Sequence, residues 1–156
     1  MKPKYKQIAR RQLDATLARF GEAGSVQFPA KGWIRAVREA LGMSGKQLAG
    51  RLQVSQPRVF KLEQGEPAGA LTLKTMRQVA EALDCVFVYA LVPRSSLEET
   101  VKTQARAVAT ERLQRVSHTM LLEAQGLSPE EQQASLDAAI EELVREMPKD
   151  LWDMKP

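Results

Sequence analysis

Ser55, Gln56, Arg58 and Lys61 gather a hydroxyl, a carboxamide, a guanidinium and an ammonium into two turns' worth of chain. Each of these groups donates hydrogen bonds to phosphate oxygens or base edges, and glutamine and arginine make two-point contacts with adenine and guanine respectively. Such a set acts together only if a rigid surface presents it. The surrounding stretch, SGKQLAGRLQVSQPRVFKLEQGE from Ser44 to Glu66, supplies that surface. Ser44 and Gln47 have capping-box spacing, Leu48, Ala49 and Leu52 share one helical face, and Gln53-Val54 forms a tight turn. A second helix begins after the Ser55 cap with Val59 and Leu62 inward, which leaves Gln56, Arg58 and Lys61 on its other side. Pro57 falls in the first turn, where its missing N–H has no intrahelical partner to lose.

Two helices crossing at about 90–120° through a connection of about 3–4 residues make a helix-turn-helix. The turn here holds Gln53 in place of the usual Gly, and a left-handed backbone at such a residue costs about 1–2 kcal/mol. The plainer reading is a helical hairpin with a solvated polar face. The combination of cap, turn and outward cations is more specific than that.

Ile34 to Leu83 resembles the lambda-repressor-like, or XRE, family of helix-turn-helix domains. The resemblance implies that Gln56, Pro57, Arg58 and Lys61 stand at base-facing places and Ser55 at a phosphate-binding one. Pro57 replaces the family's usual Gln or Ser, which limits that place to van der Waals contact. The resemblance also implies a buried ion pair between Arg38 and Glu63. Helix-start amides near Gly45 and Lys46 are a further expected phosphate grip.

Three further segments are similar to the family catalogued as mobile mystery protein A: KGWIRAVREALGMS (Lys31 to Ser44), LTLKTMRQVAEALDCVFVYALVP (Leu71 to Pro93) and SHTMLLEAQ (Ser117 to Gln125). That resemblance implies a partner, mobile mystery protein B, whose Fic domain belongs to a class that typically transfers AMP from ATP to hydroxyl side chains. The implied role is a repressor that autoregulates its operon and serves as antitoxin of a Fic-type toxin-antitoxin pair. The alternative is mainly a protein-binding inhibitor of the Fic enzyme, with DNA binding secondary. Fic enzymes are restrained by a helix bearing Ser or Thr, three residues, Glu, then Gly or Asn. Thr119 to Glu123 has that spacing but is followed by Ala124, and Ser95 to Glu99 has it too. An inhibitory role for Thr119 and Glu123 is an expectation resting on that spacing.

Composition bounds the rest. The chain has 156 residues, 44% hydrophobic and 5% aromatic, and a net charge of +4. Residues 1–94 carry a net +9 and residues 95–156 a net −5, all of the deficit lying beyond Gln125. A basic N-terminal part suits phosphate contact, because neutralising phosphates releases counterions. No apolar run approaches the roughly 18 residues of a membrane span, and the basic N-terminus lacks an apolar core and cleavage site, so a cytoplasmic location is expected. Cys85 is the single cysteine, expected as a buried small residue. His118 is the single histidine, and there is neither a Gly-rich phosphate loop nor a Cys/His cluster. No catalysis, cofactor or metal is expected.

The elements follow in order. Lys4 to Phe20 predicts a helix with Ile8, Leu13, Leu17 and Phe20 inward. Its Lys2, Lys4, Lys6, Arg10 and Arg11 either reach DNA backbone or form a solvated basic face. Trp33 to Leu41 predicts a helix with Ile34, Val37 and Leu41 inward and Trp33 packing toward the N-terminal extension. Thr72 caps a helix to about Leu83 that buries Leu73, Met76, Val79, Ala80 and Leu83. CVFVYALV, Cys85 to Val92, then switches to β-branched and aromatic residues and predicts a strand. A lone apolar strand needs a partner, and pairing with its copy about a two-fold axis implies a homodimer that reads a pseudo-palindrome, with Val86, Phe87, Val88, Tyr89 and Leu91 at the interface. Ser96 opens a long helix to about Gln125, striped by Leu97, Val101, Ala105, Val108, Val116, Met120 and Ala124. Ser128 to Met147 predicts the last helix, carrying Leu136, Ile140, Leu143 and Val144. Leu151, Trp152 and Met154 in the tail either fold back or grip a partner.

The expected fold is mainly α: a lambda-repressor-like helix-turn-helix bundle with N- and C-terminal helical extensions and one strand per subunit, pairing across a dimer two-fold. The corresponding divisions are 1–24 (basic helix), 30–84 (helix-turn-helix), 85–93 (dimerisation strand) and 95–156 (C-terminal helical region).

Overall fold

The computed structural model describes residues 2–122 and 128–153. These form helices α1 (Pro3–Leu17), α2 (Trp33–Ala40), α3 (Gly45–Leu52), α4 (Gln56–Gly65), α5 (Leu73–Ala82), α6 (Leu97–Leu122) and α7 (Pro129–Glu146), with short 3-10 turns at Ala18–Phe20 and Ala23–Ser25. The chain divides into two compact units, one from residues 1–21 and 91–156, the other from Glu22–Ala90. No helix among the described residues is long and apolar enough to cross a membrane.

The Glu22–Ala90 unit holds α2 to α5 around Ile34, Leu48, Ala49, Val59, Leu62, Val79 and Leu83, with Val37, Met43, Leu52, Leu71 and Met76 packed against them. Each helix contributes the apolar side of its own 3.6-residue period. Leu41 and Leu73 are exposed, because Leu41 lies at the C-cap of α2 and Leu73 begins α5, each where the helix leaves the core. Trp33 is also half-exposed and meets Phe28 edge-on, ring centroids 6.0 Å apart.

The other unit joins the two ends of the chain. Val101, Ala105, Val108 and Ala109 of α6 pack with Leu143 of α7 and Leu151 of the tail, and Leu136, Ile140 and Val144 cover them. Leu151 is fully buried, and its carbonyl accepts a 2.8 Å hydrogen bond from Gln104 Nε2. The tail therefore folds back at Leu151, while Trp152 stays half-exposed and Met154 lies outside the described residues. Val116 is exposed; the Met120 side chain and Ala124 lie outside the description. A complete capping box starts α7: Ser128 Oγ accepts from the Glu131 amide at 3.2 Å and the Glu131 carboxylate accepts from the Ser128 amide at 2.8 Å. Those Ser128 hydrogen bonds, backbone first, hold the Glu131 carboxyl below the usual glutamate range.

Helix α1 packs by the face opposite to expectation. Ile8, Leu13 and Phe20 are exposed, whereas Lys6, Arg10 and Asp14, spaced four apart, turn toward α6 and α7. Asp14 Oδ1 accepts from the Leu97 amide at 2.7 Å and Oδ2 from the Glu98 amide at 3.2 Å, which caps the start of α6. Arg10 Nε donates to Glu98 Oε2 at 2.5 Å, and Lys6 Nζ donates to the Met147 carbonyl at the end of α7 at 3.1 Å. A carboxylate at a helix start and an ammonium at a helix end complement both macrodipoles. Lys6 and Arg10 are thus engaged inside this unit and are not the phosphate contacts the basic N-terminus suggests.

The strand expected at Cys85 to Val92 is not formed, so the fold class of a helical bundle with one strand per subunit is corrected to a helical chain without a strand among the described residues. A strand exists through ladder bonds to a neighbour, and the β-branched composition that suggested one expresses only a preference for pleated, half-buried surface. Among the described residues no second segment forms a ladder with it. The segment is tethered instead by the Cys85 amide, which donates to the Ala80 carbonyl at 2.8 Å, and by Arg77, whose Nη2 donates to the Tyr89 hydroxyl at 3.3 Å and whose guanidinium lies over the Tyr89 ring. Phe87 stacks on Tyr89 with centroids 5.8 Å apart. Val86, Val88 and Leu91, assigned to a dimer strand together with Phe87 and Tyr89, face solvent. Cys85 is exposed as well, not a core residue, because Asp84 takes a left-handed φ of 56° and swings the chain off the end of α5.

Candidate nucleic-acid interface

The interface is built on α3, the turn and α4. The capping box that starts α3 is complete: Ser44 Oγ accepts from the Gln47 amide at 3.2 Å, and Gln47 Oε1 accepts from the Ser44 amide at 2.7 Å. Leu48 and Ala49 bury the inner face. Gln53 then adopts the left-handed conformation, φ 57° and ψ 39°, and the Val54 amide returns to the Ala49 carbonyl at 3.0 Å. That closure satisfies the end carbonyls of α3 and redirects the chain within a few residues.

Ser55 is extended, φ −73° and ψ 153°, and its carbonyl accepts from the Arg58 and Val59 amides. Its hydroxyl makes no capping hydrogen bond. The reason is local: an N-cap hydroxyl bonds the amide two or three residues on, Pro57 has no N–H, and the Arg58 amide is taken by the Ser55 carbonyl. The exposed hydroxyl is left for an outside partner. Beyond it, Val59, Leu62 and Glu63 are buried while Gln56, Pro57, Arg58 and Lys61 are exposed. Lys46 is exposed on the first turn of α3. Arg58 sits to one side of this face, bordering an open cleft of about 630 Å³ that it shares with Arg51, Val54, Thr75 and Gln78.

Two carboxylates brace the helices, Glu63 buried and Glu66 partly so. Arg38 of α2 donates through Nε to Glu63 Oε1, through Nη2 to Glu63 Oε2 at 3.2 Å, and through Nη1 to the Met43 carbonyl at 2.7 Å. The hydrogen bond to Glu63 holds the Arg38 pKa above its ordinary value against the opposing effect of burial. The second brace escaped the sequence reading. Glu66, just past α4, accepts from the Trp33 amide through Oε1 and the Ile34 amide through Oε2, both at 2.8 Å, and so caps α2 from 32 residues or more away. The signal for it is an absence: Gly32 precedes α2, so no side chain at the N-cap can do the work.

Gly32 has a φ of 83°, and a Cβ there would stand 2.8 Å from Glu66 Oε2. Gly32→Ala is expected to lose about 1–3 kcal/mol, through backbone strain and displacement of a cap pinned by two amides. Urea unfolding measures it. An unchanged midpoint would show that Glu66 and Gly32 accommodate the methyl group freely.

Residues 34–87 match the helix-turn-helix family. This stretch is an XRE-type helix-turn-helix domain. No curated protein and no solved structure matches the chain. The matched domain covers α2 to α5 and runs on to Phe87, within the Glu22–Ala90 unit. Domains of this kind are carried by DNA-binding transcription regulators, and in this one Ser55, Gln56, Pro57, Arg58, Lys61 and Lys46 are all presented to solvent. Outside the helix-turn-helix, Thr119 Oγ1 donates to the Arg115 carbonyl at 3.1 Å within α6, and Glu123 lies outside the described residues. Among the described residues no cluster of acidic, His or Cys side chains is arranged to hold a metal ion.

Proposed function

We propose that the protein is a sequence-specific transcriptional repressor that binds its own promoter region, works as a homodimer in the cytoplasm, and serves as the antitoxin of a Fic-type pair. It has no catalytic activity of its own in this reading. The observation that carries the DNA-binding part is the unpartnered hydroxyl of Ser55 beside exposed Gln56, Arg58 and Lys61, on a helix whose inner face is fixed by the domain core. Phosphate contacts from Ser55, Lys46 and the amides at the start of α3 would set the register, and Gln56, Arg58 and Lys61 would read bases. Two such domains reading a pseudo-palindrome double the contacts that one can make. The apolar side chains of Val86, Val88 and Leu91, left in solvent by a single chain, support burial against a second copy.

The antitoxin role rests on the resemblance of Lys31 to Ser44, Leu71 to Pro93 and Ser117 to Gln125 to the mobile mystery protein A family. The second reading makes neutralisation of a Fic-domain AMP-transferase the main task, with Thr119 and Glu123 at the contact. It draws support from the exposure of Val116 and Thr119 along the far part of α6.

Fluorescence anisotropy on a labelled duplex from upstream of the gene, with unrelated duplex as competitor, tests the repressor. Specific binding should exceed non-specific by about 10³ or more and weaken steeply with salt. Arg58→Ala should cost about tenfold on that duplex if its guanidinium makes a base contact. Equal binding to both duplexes would leave only a basic surface and sink the repressor reading. Co-purification with the Fic protein of Arg58→Ala, set against the double replacement Thr119→Ala, Glu123→Ala, separates the two tasks. Neutralisation should survive the first change and fail in the second.

A further inference from the structure

Phe60 lies in the middle of α4 and is 58% exposed. The core of its unit is complete without it: Val59 and Leu62 on either side are buried, and Glu63 is held by Arg38. On a helical period Pro57, Phe60, Lys61 and Gln64 stand at i, i+3, i+4 and i+7, so they share the face opposite Val59 and Leu62. That face is an apolar step, Pro57 and Phe60, beside a cation and a carboxamide. Exposed phenyl surface is unfavourable in water, and its place in the middle of an otherwise polar face asks what covers it.

We propose that Phe60 is a specificity-determining residue that takes a thymine methyl group in the major groove, with Pro57 one turn away extending the apolar contact. The inference rests on the DNA-binding reading above and deepens it. Charge favours nucleic acid as the occupant: α4 exposes Arg58 and Lys61 but no carboxylate, since its one acidic residue, Glu63, is buried and paired. A polyanion is thus attracted to the face that bears the phenyl ring. In the major groove the C5-methyl of thymine is the one apolar group among the donors and acceptors that base pairs present, and phenylalanine is one of the side chains suited to it. Lys61, adjacent in sequence, would hold a base edge or phosphate beside that contact. Operator positions read in this way require T and exclude C, which offers an amino group and no methyl.

The test uses the full-length chain and a duplex it selects from a random library. Each thymine is replaced singly by deoxyuridine, which removes only the methyl group, and binding of wild type and Phe60→Ala is measured by anisotropy at two salt concentrations. At one or two positions the wild type should lose about fourfold, the worth of one buried methyl. Phe60→Ala should bind the thymine and uracil forms equally there, keep the same salt slope, and unfold at the wild-type urea midpoint because the ring is outside the core. If wild type binds its selected duplex specifically but no single uracil matters, or if the methyl preference survives in Phe60→Ala, the inference is overturned while the DNA-binding reading stands. A Phe60→Ala chain that loses affinity equally for every duplex also overturns it, pointing to a protein contact for the ring. If no duplex is selected at all, the DNA-binding reading fails and takes this one with it.

Discussion

Replacing Glu63 by alanine is expected to remove about 3–5 kcal/mol from the stability of the helix-turn-helix unit, the range seen when one partner of a buried ion pair is deleted. The geometry sets this expectation. Glu63 is 8% exposed and takes two hydrogen bonds from Arg38, whose third bond, to the Met43 carbonyl, ties the turn between α2 and α3. Without that carboxylate a guanidinium that is only 13% exposed keeps just the Met43 carbonyl and the more distant Glu39, 3.7 Å away, as partners. A unit of about 70 residues, Glu22–Ala90, holds roughly 3.5–10 kcal/mol in total, so the variant should be near or past its folding threshold at room temperature. Urea unfolding followed by circular dichroism gives the loss directly, and DNA binding should fall with the folded fraction. The double replacement Arg38→Met, Glu63→Leu should recover most of the stability, because the pair's own contribution is partly offset by its desolvation. A loss below about 1 kcal/mol in Glu63→Ala would mean that water screens the pair as it screens surface pairs.

Leu151→Ala should cost the other unit about 2–5 kcal/mol, the usual range for truncating a buried leucine. Leu151 is fully buried among Val101, Ala105, Val108, Ala109 and Leu143, so the missing volume sits inside a close-packed cluster. Trp152→Ala makes the control, since that ring is 52% exposed and its removal should change stability by well under 1 kcal/mol. Should the unfolding midpoint of Leu151→Ala match that of the wild type, the tail is not part of the core. Should Trp152→Ala keep its stability but fail to capture a Fic protein, the exposed ring belongs to the partner contact.

Features legible in the sequence share one property: their partners lie within a turn or two. Ser44 with Gln47, Ser128 with Glu131 and the left-handed Gln53 are local motifs whose geometry follows from residue type and spacing. The Arg38–Glu63 pair spans the motif and was legible only through resemblance to a domain family. Lys6, Arg10 and Asp14 were not legible as packing residues, because polar side chains four apart look like a solvated face until the helix ends they bind, near Leu97 and Met147, are in place. The apolar residues Ile8 and Leu13 misdirected the reading of α1 for the same reason. The Cys85 to Val92 segment shows the converse error, since composition reports a liking for sheet but not the presence of a neighbour. Phe60 was not legible as a contact residue, because an apolar ring among the donors on the outer face of α4 carries no hydrogen bond to mark it.

That α1 is capped into α6 and α7 has a consequence for how the chain is made. Glu22–Ala90 is contiguous and can fold as soon as it clears the ribosome, but α1 must wait until the chain has been extended to Leu151, some 130 residues later. At about 5–20 residues per second that is a delay of roughly 7–26 s, and for roughly the first 4–17 s of it Arg10 and Asp14 lack the Glu98 carboxylate and the amides of Leu97 and Glu98 that they bind. A nascent chain whose Glu22–Ala90 segment has cleared the ribosome before α7 is made would therefore display a finished helix-turn-helix domain led by an incompletely paired basic arm. Capture of such incomplete chains by nucleic acid at the site of synthesis would follow from the order of assembly alone.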